Sequence, residues 1–216
     1  MKNFACNAVR FAFFAALICL PFAAWAQTPA AAQATLTKQE RADAVKYLAD
    51  TRKKFLASIK GLSEAQWKYK AAPDRWSVAE VAEHIALSED LIFGLISKQI
   101  MSAPAAPEKK ESVKGKDALI RNNITNRNTK AQAPEQLKPV NKWATQAELV
   151  KAFNASRANT TTYVKTTQDD LRSHFAPHPV FKDLDGYQWI LLLAGHSERH
   201  TLQVLEVKAD PNFPKK

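Results

Sequence analysis

The chain has 216 residues, of which 46% are apolar and 24% charged, with five glycines and a formal charge of +10. That length and balance fit one globular domain with short extensions and exclude collagen-like, Gly-rich and disordered chains. Both cysteines, Cys6 and Cys19, fall within the first 26 residues. If that segment is removed, structural disulfides, cysteine zinc sites and a cysteine nucleophile are excluded together.

Lys2 and Arg10 give a basic start, Phe11 to Ala24 is apolar, and Ala24-Trp25-Ala26 stands before Gln27. The apolar run is about 14 residues, short of the roughly 20 that span a bilayer. These parts make residues 1–26 a secretory signal peptide cleaved near Ala26/Gln27, and the mature protein is expected to be secreted or periplasmic and not membrane-spanning. Ile18 before Cys19 disfavours a lipid-attachment site. Cleavage removes two of the basic residues and leaves +8, all of it in residues 98–165, which hold thirteen basic and five acidic residues. This excess reads as a solvated, Lys-rich loop. Export makes nucleic acid a poor partner.

Residues 27–36 form an Ala/Gln/Pro linker, residues 37–210 the folded unit and 211–216 a tail. Thr37-Lys-Gln-Glu40 is a capping box. It opens a first long helix over 38–60, with Val45, Leu48, Phe55, Leu56 and Ile59 at helical spacing and Gly61 as its left-handed stop. Residues 62–75 are a connector with one helical turn. Ser77-Val-Ala-Glu80 caps a second long helix over 78–101. Residues 102–144 are a basic excursion with a short helix over 117–126. Thr145-Gln-Ala-Glu148 caps a third over 146–167. A loop over 168–184 leads to the Asp185-capped fourth over 186–208. No segment alternates with period two, so the fold class is all-α, a four-helix bundle with a long crossover between its second and third helices.

The histidines lie on the inward stripes of this bundle. On the fourth helix the stripe is Trp189, Leu193, His196, His200, Gln203 and Val207; on the second it is Val81, His84, Ser88, Leu91 and Leu95. Three imidazoles thus point into one bundle. A divalent metal would take one nitrogen from each neutral ring and leave the other to donate elsewhere. All-nitrogen ligation suits Zn²⁺, Ni²⁺ or Fe²⁺, and three protein ligands leave an open position. The alternative is a set of hydrogen-bonded core histidines.

Trp76-Ser-Val-Ala-Glu-Val-Ala-Glu-His84-Ile85, followed by His196-Ser-Glu-Arg-His200-Thr-Leu-Gln203, resembles the DinB-like superfamily of metal-binding four-helix bundles. Pro177-His178-Pro179-Val180-Phe181 and Glu206-Val207-Lys208 support the resemblance, which covers about residues 40–210. It implies His84, His196 and His200 as ligands to nickel or zinc, an up-up-down-down-like bundle, and a homodimer. It also implies chemistry on a small-molecule substrate with a low-molecular-weight thiol, the metal favouring the thiolate. Such thiols are mainly cytoplasmic, so export sets this chain apart. The resulting expectation is a metal-dependent transferase or hydrolase acting on a small electrophile through a metal-bound thiol or water. The alternatives are a non-catalytic binding bundle and a structural bundle with buried histidines.

Other candidates carry blander readings. Glu198 is a candidate general base acting through a metal-bound water, but it lies about 200° around the helix from His196 and points away from it. Arg199 is expected to brace a carboxylate on a neighbouring helix, and Glu83 merely precedes His84. His174 and His178 are expected in a loop, with His178 exposed or capping a turn; the alternative is that His178 reaches the bundle mouth as a fourth ligand or as a hydrogen-bond partner of one. Gln203 is expected to bond a buried polar group. Gly195, which costs about 1 kcal/mol in a helix relative to Ala, is expected to permit close approach or to leave the pocket clear. Trp67, Trp76, Trp143 and Trp189 are read as core and cap aromatics.

Overall fold

A computed structural model describes Met1, residues 35–128 and residues 132–215 of the chain. The expected signal peptide and nearly all of the linker lie outside the described residues. Six α-helices follow in order: α1 (Lys38–Ile59), α2 (Glu64–Lys68), α3 (Val78–Gly94), α4 (Lys116–Asn123), α5 (Gln146–Thr166) and α6 (Gly186–Lys208). The long ones are α1, α3, α5 and α6. No helix among the described residues is long and apolar enough to cross a membrane.

The helix starts follow from local chemistry. Thr37, Ser63, Ser77 and Asp185 each close a reciprocal capping box, with Glu40, Gln66, Glu80 and Gln188 respectively. At α5 the Thr145 hydroxyl accepts from the Glu148 amide, but the Glu148 carboxylate takes the amide of Ala144, one residue earlier. Gly61, at φ 68°, supplies the left-handed turn after α1. α3 is continued by a π-helical turn, Leu95–Ile100, which carries the helix to the expected end.

Side-chain pairings fix the helix directions. Gln146 at the start of α5 donates to Ile59 at the end of α1, and Arg41 at the start of α1 donates to Val164 and Thr167, so α1 and α5 are antiparallel. Glu89 and Asp90 of α3 meet Arg157 and Ser156 of α5, and Phe93 meets Tyr163, so α3 and α5 run parallel. Tyr187 and Lys208 of α6 meet Glu40 and Ser58 of α1, which makes that pair parallel too. In chain order the long helices therefore run up, down, down, up, and not in the up-up-down-down order that the resemblance implied. Parallel neighbours cannot be joined by a tight turn, which is why α3 and α5 need a long crossover.

The crossover is not a solvated loop. Val113, Ile120, Ile124 and Leu137 are buried, and Gln188 of α6 donates to the Val113 carbonyl and the Asp117 carboxylate. Apolar anchors hold the segment down, with Lys109, Lys110 and Lys114 exposed and Lys116 and Arg127 partly buried. The loop before α6 holds a two-stranded antiparallel hairpin, β1 (Phe175–His178) with β2 (Lys182–Asp185), where no strand was expected. Four-residue strands are too short to show alternation, Pro177 and Pro179 argue locally against pairing, and Lys182 (φ 60°) turns the chain without the usual Asn-Gly signal. On α3, Leu91 is 45% exposed, against expectation; the buried face is centred on Ile85, Ser88 and Ile92.

Two apolar clusters fill the bundle. One gathers Leu48, Ile92, Ile96 and Trp189–Ala194; the other gathers Phe55, Ile59, Val81, Ile85, Phe153 and Val204. Arg157, fully buried on α5, ties the long helices together. Its Nε donates to Glu89 of α3 (2.7 Å), its Nη1 to the Leu48 carbonyl (2.7 Å) and Thr51 hydroxyl (2.8 Å) of α1, and its Nη2 to Ser197 of α6 (2.8 Å). Ser197 in turn donates to Glu89 (2.7 Å). Arg157→Leu would strand the Glu89 carboxylate without its counter-charge and is expected to cost about 3–5 kcal/mol, with the double variant Arg157→Leu/Glu89→Leu recovering much of the loss in chemical denaturation.

At the end of the bundle where α6 begins, Arg172 binds Glu40 of α1, Asp117 of α4 and Asp185 of the α6 cap. Burial alone would raise the pKa values of Glu40 and Asp117. Hydrogen bonds from Thr37 and Arg172 to Glu40, and from Arg172 and Gln188 to Asp117, outweigh it and hold both carboxyls below their usual range. Their contribution is present above the unfolded carboxyl range and is lost as pH falls through the depressed folded values. Arg172→Met is thus expected to cost about 2–3 kcal/mol near neutrality, discounted for partial exposure. Thermal melts should show that gap narrowing first near pH 6, where Asp185, pushed up to about 6 by burial, takes its proton, and again below about pH 4 as Glu40 and Asp117 do.

Candidate metal centre

Three histidines from two antiparallel helices converge. His84 comes from α3, and His196 and His200 lie one turn apart on α6; one ring nitrogen from each lies within 4.8 Å of the others. His84 is 3% exposed, and the other two are half-buried. The ring centroids of His196 and His200 are 4.4 Å apart, as are those of His84 and His200, and Trp76 packs against His84 at 5.0 Å.

Hydrogen bonding assigns the tautomers. His84 Nδ1 lies 2.8 Å from the Leu137 carbonyl oxygen, which only accepts, so Nδ1 carries the proton. His200 Nδ1 lies 2.8 Å from Gln203 Oε1. The same oxygen faces Arg127 Nη1 at 3.4 Å, and a guanidinium only donates, so His200 Nδ1 is also the protonated nitrogen. Each ring therefore turns a bare Nε2 lone pair inward, and these two nitrogens are 3.2 Å apart. Two lone pairs at that distance repel unless a proton or a cation lies between them. Tetrahedral metal–nitrogen bonds of about 2.0–2.1 Å place ligand nitrogens about 3.4 Å apart. His196 Nδ1 is buried and, among the described residues, is the side-chain polar atom left with no hydrogen-bond partner. Leaving such an atom unsatisfied costs about 1–3 kcal/mol. The donor set thus fits a divalent cation of the zinc, nickel or iron kind.

Burial, with the neighbouring rings, keeps these imidazoles neutral. Burial first, and second the penalty of charging two rings side by side with His84, push His200 down to about 3. Burial, then His200 and His84, holds His196 well below the usual range, and burial lowers His84 against the Leu137 hydrogen bond. Neutral imidazole is the form that ligates.

The other candidates fall elsewhere. Glu198 accepts from Tyr47 (3.1 Å) and pairs with Lys54, both on α1. Arg199 donates to the carbonyls of Ile124 (3.2 Å) and Asn126 where α4 ends. His178 accepts from the amides of Val180 and Phe181, capping the hairpin turn, and its ring lies tilted against Phe181 and edge-on to Trp189. His174 bonds the Ala103 carbonyl (2.7 Å). Gln203 bonds the half-buried His200 ring rather than a fully buried group. Trp189 is buried, while Trp67, Trp76 and Trp143 sit partly buried at the edge of the core.

Sequence reasoning passed over three contributors. Leu137, whose carbonyl orients His84, carries no side-chain signal. Arg157 carried one: a lone charge on the stripe Leu149, Phe153, Arg157, Thr160, Val164, matched by Glu89 on α3. Glu83 was noticed only as the neighbour of His84, yet its carboxylate accepts from three consecutive amides of the crossover.

Gly195 beside His196 serves close approach. A Cβ there would meet Ile124 Cγ2 at 2.5 Å and the Tyr47 hydroxyl at 2.9 Å. Ile124 is buried and branched at Cβ, so it has little room to yield. Gly195→Ala is expected to destabilise the fold by about 1–3 kcal/mol net, despite a gain in helix propensity of about 1 kcal/mol, as read from urea denaturation midpoints.

Comparison with known proteins gives three findings. YuaE of Bacillus subtilis, an uncharacterized protein, is 26% identical over 150 residues, which cover 69% of this chain and 88% of that one. A solved structure, YfiT from Bacillus subtilis, is described as a probable metal-dependent hydrolase with an unusual four-helix bundle topology. It is 14% identical with a TM-score of 0.49, over 82% of this chain and 90% of that one. The sequence profile of the DinB superfamily matches residues 47–204, from within α1 to the last turns of α6. Since that match takes in both helices that carry the histidines and the whole crossover between α3 and α5, the chain belongs to the DinB superfamily.

Proposed function

We propose that this protein is an exported divalent-metal-binding bundle that holds nickel, zinc or iron through His84, His196 and His200. We further propose that it acts as a metal-dependent transferase or hydrolase on a small electrophile. The observation that carries the reading is the pair of Nε2 lone pairs held 3.2 Å apart, each fixed by a donor bond on the far side of its ring. A divalent ion in this triad would supply Lewis acidity, lowering the pKa of a coordinated thiol or water at the position that three protein ligands leave open.

The chain's own residues have separable tasks in that reading. Leu137 and Gln203 keep the two rings in the ligating tautomer, and burial keeps all three neutral. Trp76 packs against the His84 ring at 5.0 Å. The nearby carboxylates are committed: Glu83 to backbone amides, Glu198 to Tyr47 and Lys54, and Glu206 to Arg127. A general base supplied by Glu198 is therefore not part of the proposal. A thiol cosubstrate fits a mature chain from which both cysteines have been removed with the leader.

Metal analysis by mass spectrometry on untagged protein from its native compartment is expected to give about one equivalent of divalent metal, lost in His84→Ala and in His200→Ala. Absence of metal in the wild type, even after anaerobic reconstitution, would overturn the reading. A metal-loaded protein that turns over no thiol–electrophile pair and no hydrolysable ester or amide would leave a binding bundle in place of an enzyme.

A further inference from the structure

Glu83 stands next to a candidate ligand but does not face the triad. It is 5% exposed, and its carboxylate grips the returning limb of the crossover: Oε1 accepts from the amides of Val140 (2.8 Å) and Lys142 (3.0 Å), and Oε2 from that of Asn141 (3.1 Å). Three consecutive amides can converge on one carboxylate because Asn141 takes φ 58°, in the left-handed region that Asn tolerates better than most side chains. The turn gives up side-chain burial to achieve this, with Val140 left 69% exposed. An apolar side chain turned outward while its backbone turns inward marks a segment held by its amides.

Three residues upstream of that turn is Leu137, buried and ending a short 3₁₀ turn. Its carbonyl accepts the Nδ1 proton of His84. Consecutive residues of α3 thus hold the two ends of one short segment, Glu83 at residues 140–142 and His84 at residue 137. The carbonyl lone pair excludes the other tautomer, in which a bare Nδ1 would face it. Without that carbonyl, His84 would be free to protonate Nε2 and donate to His200 Nε2, 3.2 Å away, which closes the triad to a cation.

We propose that Glu83 is a positioning residue for His84: by clamping the 140–142 turn through three backbone amides, it holds the Leu137 carbonyl where it fixes His84 as the Nδ1–H tautomer with Nε2 turned into the triad. The consequence for metal affinity rests on the metal-site reading above; the consequence for the tautomer does not.

The test has two arms on the full protein. In metal-free protein, ¹⁵N NMR of the ring nitrogens, with His84 assigned by its loss in His84→Ala, reads the tautomer. In the second arm, zinc affinity is measured by competition with a chromophoric chelator. Glu83→Gln sets an amide N–H against backbone N–H groups and is expected to move His84 toward the Nε2–H form that an unconstrained neutral imidazole prefers. It is also expected to weaken zinc binding about 10-fold, as loss of outer hydrogen bonds to a ligand commonly does. Asn141→Val, at an exposed position, opposes the left-handed backbone and should reproduce both effects. Asn141→Gly and Val140→Ala keep the backbone donors and should change neither.

A role confined to stability would lower the melting temperature of Glu83→Gln while leaving the His84 tautomer as in the wild type and zinc affinity within about two-fold; that result overturns the proposal. Should Glu83→Gln fail to fold, Asn141→Val decides on the same two readouts. If wild-type protein binds neither zinc nor nickel nor iron, the metal-site reading fails, and the tautomer arm alone still upholds or overturns the clamp.

Discussion

The guanidinium of Arg157 reaches all four long helices from the middle of the bundle, with hydrogen bonds to Glu89, Leu48, Thr51 and Ser197. A buried charge tolerates no loss of partners, so these bonds permit one axial register among the helices. Sliding α6 by a turn against α3 would remove Ser197 from Glu89 and Arg157 together. The same register puts His196, the residue before Ser197, and His200, one turn on, level with His84 on α3. Apolar clusters lie to either side and supply the bulk of the burial, but apolar contact is forgiving about sliding. The polar layer between them sets the height at which the histidines meet.

Helix direction has an equally plain consequence. Because α3 and α5 are parallel neighbours, the chain must travel back along the bundle between them. That return is used twice at the triad. On the way, α4 packs against α6, where Gly195 lets Ile124 approach closely. At the end, the 137–142 limb lies on α3, delivering a carbonyl to His84 and three amides to Glu83. A crossover that the topology requires thus becomes part of the wall of the site. Val113, Ile120, Ile124 and Leu137 anchor it.

Much of this was legible along the chain. The capping boxes at Thr37, Ser77 and Asp185 mark helix starts because a side chain three residues from its partner satisfies orphan amides locally, with no help from the rest of the fold. The stripe through Trp189, Leu193, His196, His200 and Gln203 was readable because helical periodicity is a local property. The hairpin was not readable: its strands are short, Pro-containing and paired only because Trp189 and the start of α6 lie beneath them. Leu91 was misplaced because a strict rhythm of threes and fours drifts, and which edge of α3 is buried depends on where α5 and α6 lie.

The sequence by itself determined the helices, their caps and the three imidazoles on inward faces, since each depends on residues within one or two turns of each other. Tertiary structure alone decided the helix directions, the identity of Arg157 as the common tie, and which nitrogen of His84 and of His200 is bare. A tautomer is set by whatever lies across the ring from it. For His84 that is a backbone carbonyl 53 residues away, which no side-chain pattern encodes. For His200 it is Gln203, one turn along the same helix, with Arg127 of the crossover settling which way the amide faces.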